Sequence, residues 1–125
     1  MHENEISKII VDVCYKIHTT LGSGLFESVY EEILEHELIN RGLKIKRQQA
    51  IPVVWDDIKF DHGFRADLIV EDKVIIEIKS VETIVPVHHK QLLTYLKLTD
   101  MKLGLLINFN EALIKHGIHR IVNNL

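Results

Sequence analysis

Cysteine is almost missing from this chain. Cys14 is the only one, so no internal disulfide holds the fold, and a reducing compartment is expected. Long apolar runs are missing too, because Lys, Glu or Asp interrupts every candidate before it reaches the length of a transmembrane helix. The first residues are acidic and periodic, without the basic start and small-residue cleavage site of a signal peptide. The expectation is a cytoplasmic protein that does not engage a membrane. An excess of positive charge is also absent. Fifteen Lys and Arg face eighteen Asp and Glu, leaving −3 with His neutral. That is not the balance of a protein that coats nucleic acid. It is compatible with an enzyme whose acidic residues sit in a metal site, where ions neutralise part of the excess. There is no linker, repeat or low-complexity segment, no Gly-rich phosphate loop, and no serine in a nucleophile-elbow context. What remains is one domain, 1–125, with 46% apolar and 26% charged residues and enough chain for a single sizeable core.

Periodicity sketches the elements. Ile6, Ile9, Ile10, Val13, Ile17 and Leu21 recur at helical spacing, and Gly22 follows as a stop. After the Gly22-Ser23-Gly24 loop, Phe26, Tyr30, Ile33, Leu34 and Leu38 mark a second amphipathic helix that ends near Gly42. Alternation from Leu43 to Trp55 indicates one strand or two, with Pro52 favouring an edge or an irregularity and Asp56-Asp57 a turn. "VHHKQLLTYLKLTD" reads as a helix with Leu92, Leu93, Leu96 and Tyr95 inward, and "LGLLINF" as a buried strand. "GIHRIVNNL" is a final strand or an irregular tail. Helices before and after a strand cluster give an α/β layered domain.

The stretch "RADLIVEDKVIIEIKS", residues 65–80, places Asp67, Glu77 and Lys79 inside two apolar strands. A buried carboxylate is costly unless it is paired, hydrogen-bonded or holding a metal. Alternation puts Glu77 and Lys79 on one face and Ile76 and Ile78 on the other. If the two runs form a hairpin, the turn decides where Asp67 falls. A two-residue turn at Glu71-Asp72 sets Asp67 opposite Ile76. An odd-length loop or a bulge sets it opposite Glu77, and a hard divalent cation would then make the crowded carboxylates favourable.

Asp67, nine intervening residues, then Glu77-Ile78-Lys79 in an apolar strand resembles the PD-(D/E)XK nuclease signature, with Ala66 where the usual proline stands. Gln91 and Tyr95 in "QLLTY" match the Gln-x-x-x-Tyr helix motif of its exonuclease-like branch. Gly24, Glu27 and Tyr30 in "GLFESVY" match the Gly-x-x-Glu-x-x-Tyr motif that names a family of small prokaryotic proteins within the superfamily. The element order agrees, and the resemblance covers nearly the whole chain. It implies a restriction-endonuclease-like fold, α/β, with a central mixed sheet flanked by helices. It also implies phosphodiester hydrolysis of DNA with magnesium or manganese. Asp67, Glu77 and the carbonyl of Ile78 would bind the ion, and Glu27 would support it or a second ion. Lys79 would orient water and stabilise developing charge. Gln91 would hold Lys79 or the water, and Tyr95 would contact the phosphate or the Lys.

Each of these residues also has an ordinary role. Glu77 and Lys79 suit an exposed same-face pair, Gln91 and Tyr95 are neighbours on any helix, Glu27 suits a helix N-terminus, and Tyr30 suits the core. The alternative function is a non-catalytic nucleic-acid-binding or assembly module of the same fold. The small size leaves little surface to grip a duplex, which a homodimer or a larger complex would supply. His88-His89 and Cys14 invite zinc, but the ligand spacing is missing and hard carboxylates favour magnesium or manganese. Arg41, Lys44, Lys46 and Arg47 form a basic cluster suited to solvent or to a phosphate backbone.

Overall fold

The computed structural model describes residues 1–125. Helix α1 (Glu3–Leu21) buries Ile6, Ile10, Val13, Cys14 and Ile17 along one stripe. Gly22, at φ +74°, ends it in a conformation that glycine reaches without strain. Helix α2 (Glu27–Asn40) buries Tyr30, Leu34 and Leu38. The strands follow: β1 (Ile45–Ala50), β2 (Val53–Trp55), β3 (Ile58–Phe60), β4 (Arg65–Val70) and β5 (Val74–Lys79). Helix α3 (Pro86–Thr99), β6 (Leu103–Asn108) and β7 (Ile118–Val122) complete the chain, with a short 3-10 turn at Ile114–His116. The C-terminal stretch is thus a strand, and Leu93 is only partly buried beside Leu92, Tyr95 and Leu96.

Five strands form one sheet in the order β1-β4-β5-β6-β7. Neighbours run antiparallel except β5 and β6, which are parallel and joined through α3. Strand β6 is buried along its whole length, as its continuous apolar run requires when both faces are covered. One face carries Leu68, Val70, Val74, Ile76, Ile78, Leu103, Leu105 and Ile107 against α1 and α2. The other carries Ile69, Ile75 and Leu106 against Leu92, Tyr95 and Leu96 of α3. This mixed α/β sheet with flanking helices agrees with the restriction-endonuclease-like fold.

Two turns set the registers. At Asp56-Asp57 both residues have positive φ, and Trp55 lies opposite Ile58, giving a two-residue turn between β2 and β3. That hairpin stands apart from the main sheet and exposes Trp55 to 72% of its surface. Between β4 and β5, Glu71 and Asp72 each take φ +55°, and the Lys73 N–H closes the turn on the Val70 carbonyl at 3.0 Å. Val70 pairs with Val74, so Lys73 is one residue more than a two-residue turn needs. The connection is odd in length. No helix is long and apolar enough to cross a membrane.

Candidate active site

The β4–β5 ladder stops at the pair Leu68–Ile76. One step further along, Asp67 faces Glu77, and their side chains take over the hydrogen bonds that the backbones no longer exchange. The Ile78 N–H donates to Asp67 Oδ2 at 2.8 Å, and the Asp67 N–H donates to Glu77 Oε1 at 3.2 Å. The odd connection at residues 71–73 makes this possible, because a two-residue turn with Lys73 in the strand opposite Val70 would bring Ile76 opposite Asp67. Ile76 and Ile78 point into the core against α1 and α2. Glu77 and Lys79 therefore lie on the α3 face by strand alternation.

The electrostatics follow from burial. Glu77 is 6% exposed. Burial first, and the Asp67 carboxylate second, raise its pKa from 4.5 to about 8. Asp67 is also raised, chiefly by burial, with the charge of Glu31 adding to it and the Ile78 N–H opposing it. Lys79 lowers both. Tyr95 reaches the same place from α3. Its hydroxyl is raised by burial and by the charges of Glu77 and Asp67, and its ring packs on Phe64 with centroids 6.2 Å apart. Gln91, one turn earlier on α3, is exposed, and its side chain makes no hydrogen bond within the protein.

Glu27 arrives by a different route. Tyr30 is fully buried and stacks on Phe109 with ring centroids 4.3 Å apart. Its hydroxyl donates to the Gly22 carbonyl at 2.6 Å and accepts from the Leu25 N–H at 3.2 Å, fixing the loop before α2. Ser80, next to Lys79, donates to the Leu25 carbonyl at 2.9 Å and docks that loop on the end of β5. Glu27 is exposed there, lining an open pocket of about 270 Å³ with Ser23, Gly24, Leu25, Phe26, Ser80 and Asn110. It raises the pKa of His88, which burial and Lys79 lower. The structure thus brings Asp67, Glu77, Lys79 and Tyr95 together and sets Glu27 at the Lys79 end, without a hydrogen bond from Glu27 to the carboxylate pair.

Sequence reasoning missed two residues. Glu31, 6% exposed, lies one helical turn beyond Glu27 and pairs with Arg47 at 2.7 Å. Gln48 donates to Glu31 Oε1 at 2.7 Å and to Asp67 Oδ1 at 3.2 Å, linking helix and sheet. The signal for Glu31 was its place beside Tyr30 and four residues after Glu27. Gln48 carried none. The basic cluster reads differently in three dimensions: Arg41 pairs with Asp12, Lys46 with Asp72, and Arg47 with Glu31 and Glu35. Only Lys44 of the four makes no ion pair, so the cluster mostly balances charge within the fold. Cys14, in the core on the opposite face from Glu77, has its thiol pushed far up by burial and belongs to no ligand set.

No three His, Cys, Asp or Glu side chains converge as a ready-made metal cluster. The donor set still suits magnesium, which keeps several waters and takes only one or two carboxylates. Two crowded carboxylates, both raised in pKa by burial, are what a hard cation would relieve.

A family model described as the PD-(D/E)XK nuclease superfamily matches residues 4–121. No curated protein and no solved structure matches the chain.

Proposed function

The chain belongs to the PD-(D/E)XK nuclease superfamily, and from that premise we propose that it hydrolyses phosphodiester bonds of DNA with magnesium or manganese. Within the superfamily we assign it to the Gly-x-x-Glu-x-x-Tyr proteins on Gly24, Glu27 and Tyr30, and to the exonuclease-like branch on Gln91 and Tyr95. One observation carries the reading. Asp67 and Glu77 meet where the β4–β5 ladder opens, each accepting a backbone N–H of the other strand, with Lys79 on the face of Glu77.

Asp67, Glu77 and the Ile78 carbonyl would hold the cation, which when bound supplies charge neutralisation at the phosphate and lowers the pKa of its water. Lys79 stands free of any ion pair, so its ammonium is available to orient the attacking water and to meet charge that develops on the phosphate. Tyr95 lies on the α3 side of the carboxylate pair, and its hydroxyl would contact the phosphate or Lys79. Gln91, free of internal partners, is available for the substrate or the water beside Lys79. Glu27 supports the ion or a second one from the open pocket at the far end of β5.

Two variants test this. Lys79→Ala should leave divalent-ion affinity similar or slightly tighter, because a neighbouring positive charge has gone. Cleavage of short labelled DNA should fall by about two orders of magnitude or more, the scale for losing one preorganised electrostatic group. Asp67→Ala should lose both cation and cleavage. Single-stranded, blunt and flapped substrates are compared with both metals. Equal activity in wild type and Lys79→Ala refutes the mechanism. Inactivity of the wild type on every substrate supports the second reading, a non-catalytic module, which the internal pairing of Arg41, Lys46 and Arg47 also favours.

A further inference from the structure

Gln48 is the one side chain hydrogen-bonded to both Glu31 and Asp67. A carboxamide NH₂ carries two hydrogens, and here each is used, at 2.7 Å to Glu31 Oε1 and at 3.2 Å to Asp67 Oδ1. The backbone beneath it is unusual. Gln48 has φ +51°, a region that non-glycine residues seldom occupy. The β1–β4 register runs through Arg47–Leu68 and Gln49–Ala66 with Gln48 out of the ladder between them. Its carbonyl is turned away to the Arg65 guanidinium, which donates at 3.2 Å. Such strain persists only where surrounding interactions hold it, and it gathers at functional sites. Here it aims the carboxamide inward from an exposed edge strand.

The choice of a neutral head group matters. A Lys or Arg at this point would satisfy both carboxylates and cancel one of their two charges. Gln satisfies one oxygen on each and cancels nothing. Glu31 is already balanced by Arg47 on its other oxygen, at 2.7 Å. Asp67 has no ion pair at all. Resting on the metal-dependent reading above, we propose that Gln48 is a positioning residue. It holds Asp67 in place against the Arg47-paired Glu31 while leaving the negative charge of Asp67 intact for a divalent cation.

Gln48→Met, Gln48→Lys and Gln48→Glu test this as a set. All three keep an unbranched Cβ, share the same positive φ, and sit on an exposed strand, so differences among them report the head group. Melting in chelator should rank Lys above wild type, wild type above Met, and Met above Glu. Calorimetric titration with magnesium and with manganese should show Kd weakened about tenfold or more in Gln48→Lys, where a fixed positive charge opposes the ion. Gln48→Met should weaken it about threefold or more, because Asp67 loses its restraint. A purely structural side chain would change Tm in the variants and leave Kd alone, and that result overturns the proposal. So does a Gln48→Lys protein that binds either ion as wild type does. Wild-type protein that binds neither ion overturns the metal reading itself. The melting order in chelator then decides the bridge separately: the ranking above supports it, and equal melting of wild type and Gln48→Met overturns it.

Discussion

Replacing Glu77 by glutamine removes a charge from a place that solvates it poorly. The side chain is 6% exposed, and burial, with Asp67 as the second cause, moves its pKa from 4.5 to about 8. A carboxyl raised in this way holds a proton in the folded state that it has lost in the unfolded one. Its contribution is therefore fully present below pH 4.5 and is lost as the pH climbs through about 8. At about 1.4 kcal/mol per pH unit, the ionised form above that window costs at most roughly 5 kcal/mol. Relaxation and water entry reduce such penalties, so about 2–5 kcal/mol is the working range. Glutamine keeps an oxygen to accept the Asp67 N–H, the bond that Glu77 makes at 3.2 Å. It also offers its NH₂ to the Asp67 carboxylate. In metal-free protein, Glu77→Gln should raise Tm by about 8–20 °C near pH 9. Near pH 5 it should change Tm little, since the wild type already carries the proton there. The assay is a pair of thermal melts in chelator at the two pH values. Repeating them in magnesium should raise the wild-type Tm and leave the variant nearly unmoved. An equal effect at both pH values, or a loss of stability near pH 9, refutes the burial-and-repulsion reasoning. A variant that still gains wild-type stabilisation from magnesium removes Glu77 as an important ligand.

Gly117→Ala should be among the costliest single-methyl changes in the protein. A Cβ there would lie 2.2 Å from the Asn108 carbonyl oxygen, whose neighbouring N–H donates to the Gly117 carbonyl at 2.8 Å. A loss of about 3 kcal/mol or more is expected in urea unfolding, and an unchanged midpoint contradicts the close approach. Gly104→Ala meets only the Leu92 side chain, at 2.9 to 3.0 Å. Its cost should be smaller, about 1–3 kcal/mol, and the reverse order would mean that Leu92 cannot move. Tyr30→Phe should cost about 1–2 kcal/mol through the lost hydroxyl bonds to Gly22 and Leu25, while the ring keeps its stack on Phe109. Amide exchange at Leu25 should accelerate, and unchanged protection there argues against the anchoring role.

Much of this was legible along the chain because period and punctuation agree. The helical stripes of α1 and α2, the glycines that end them, and the continuous run of β6 all read correctly, since burial on one face or both leaves those patterns. The facing of Asp67 and Glu77 was readable only as a condition on the turn. Whether Lys73 belongs to the turn or to the strand depends on backbone torsions at Glu71 and Asp72, which no residue type there announces. Gln48 was not readable at all. An exposed glutamine on an edge strand looks like solvent-facing filler until α2 delivers Glu31 across the sheet, and that contact depends on helix packing. The basic cluster misled for a related reason, because its acidic partners are distant in sequence: Asp12, Glu31, Glu35 and Asp72.

The extra residue at Lys73 bears on how this chain tolerates lengthening and shortening. Exposed turns ordinarily accept single insertions and deletions with small effect. What this one must keep is the pairing that closes it. Removing Lys73, far from any proposed chemistry and itself exposed, would leave Glu71-Asp72 as a two-residue turn that still pairs Val70 with Val74, and Asp67 would still face Glu77. Drawing Lys73 into β5 opposite Val70 would instead put Ile76 opposite Asp67, turn the isoleucines toward α3 and turn Glu77 into the apolar layer beneath α1 and α2. Related sequences should therefore vary in the number of residues between positions 70 and 74 while keeping the spacings from Asp67 to Val70 and from Val74 to Glu77.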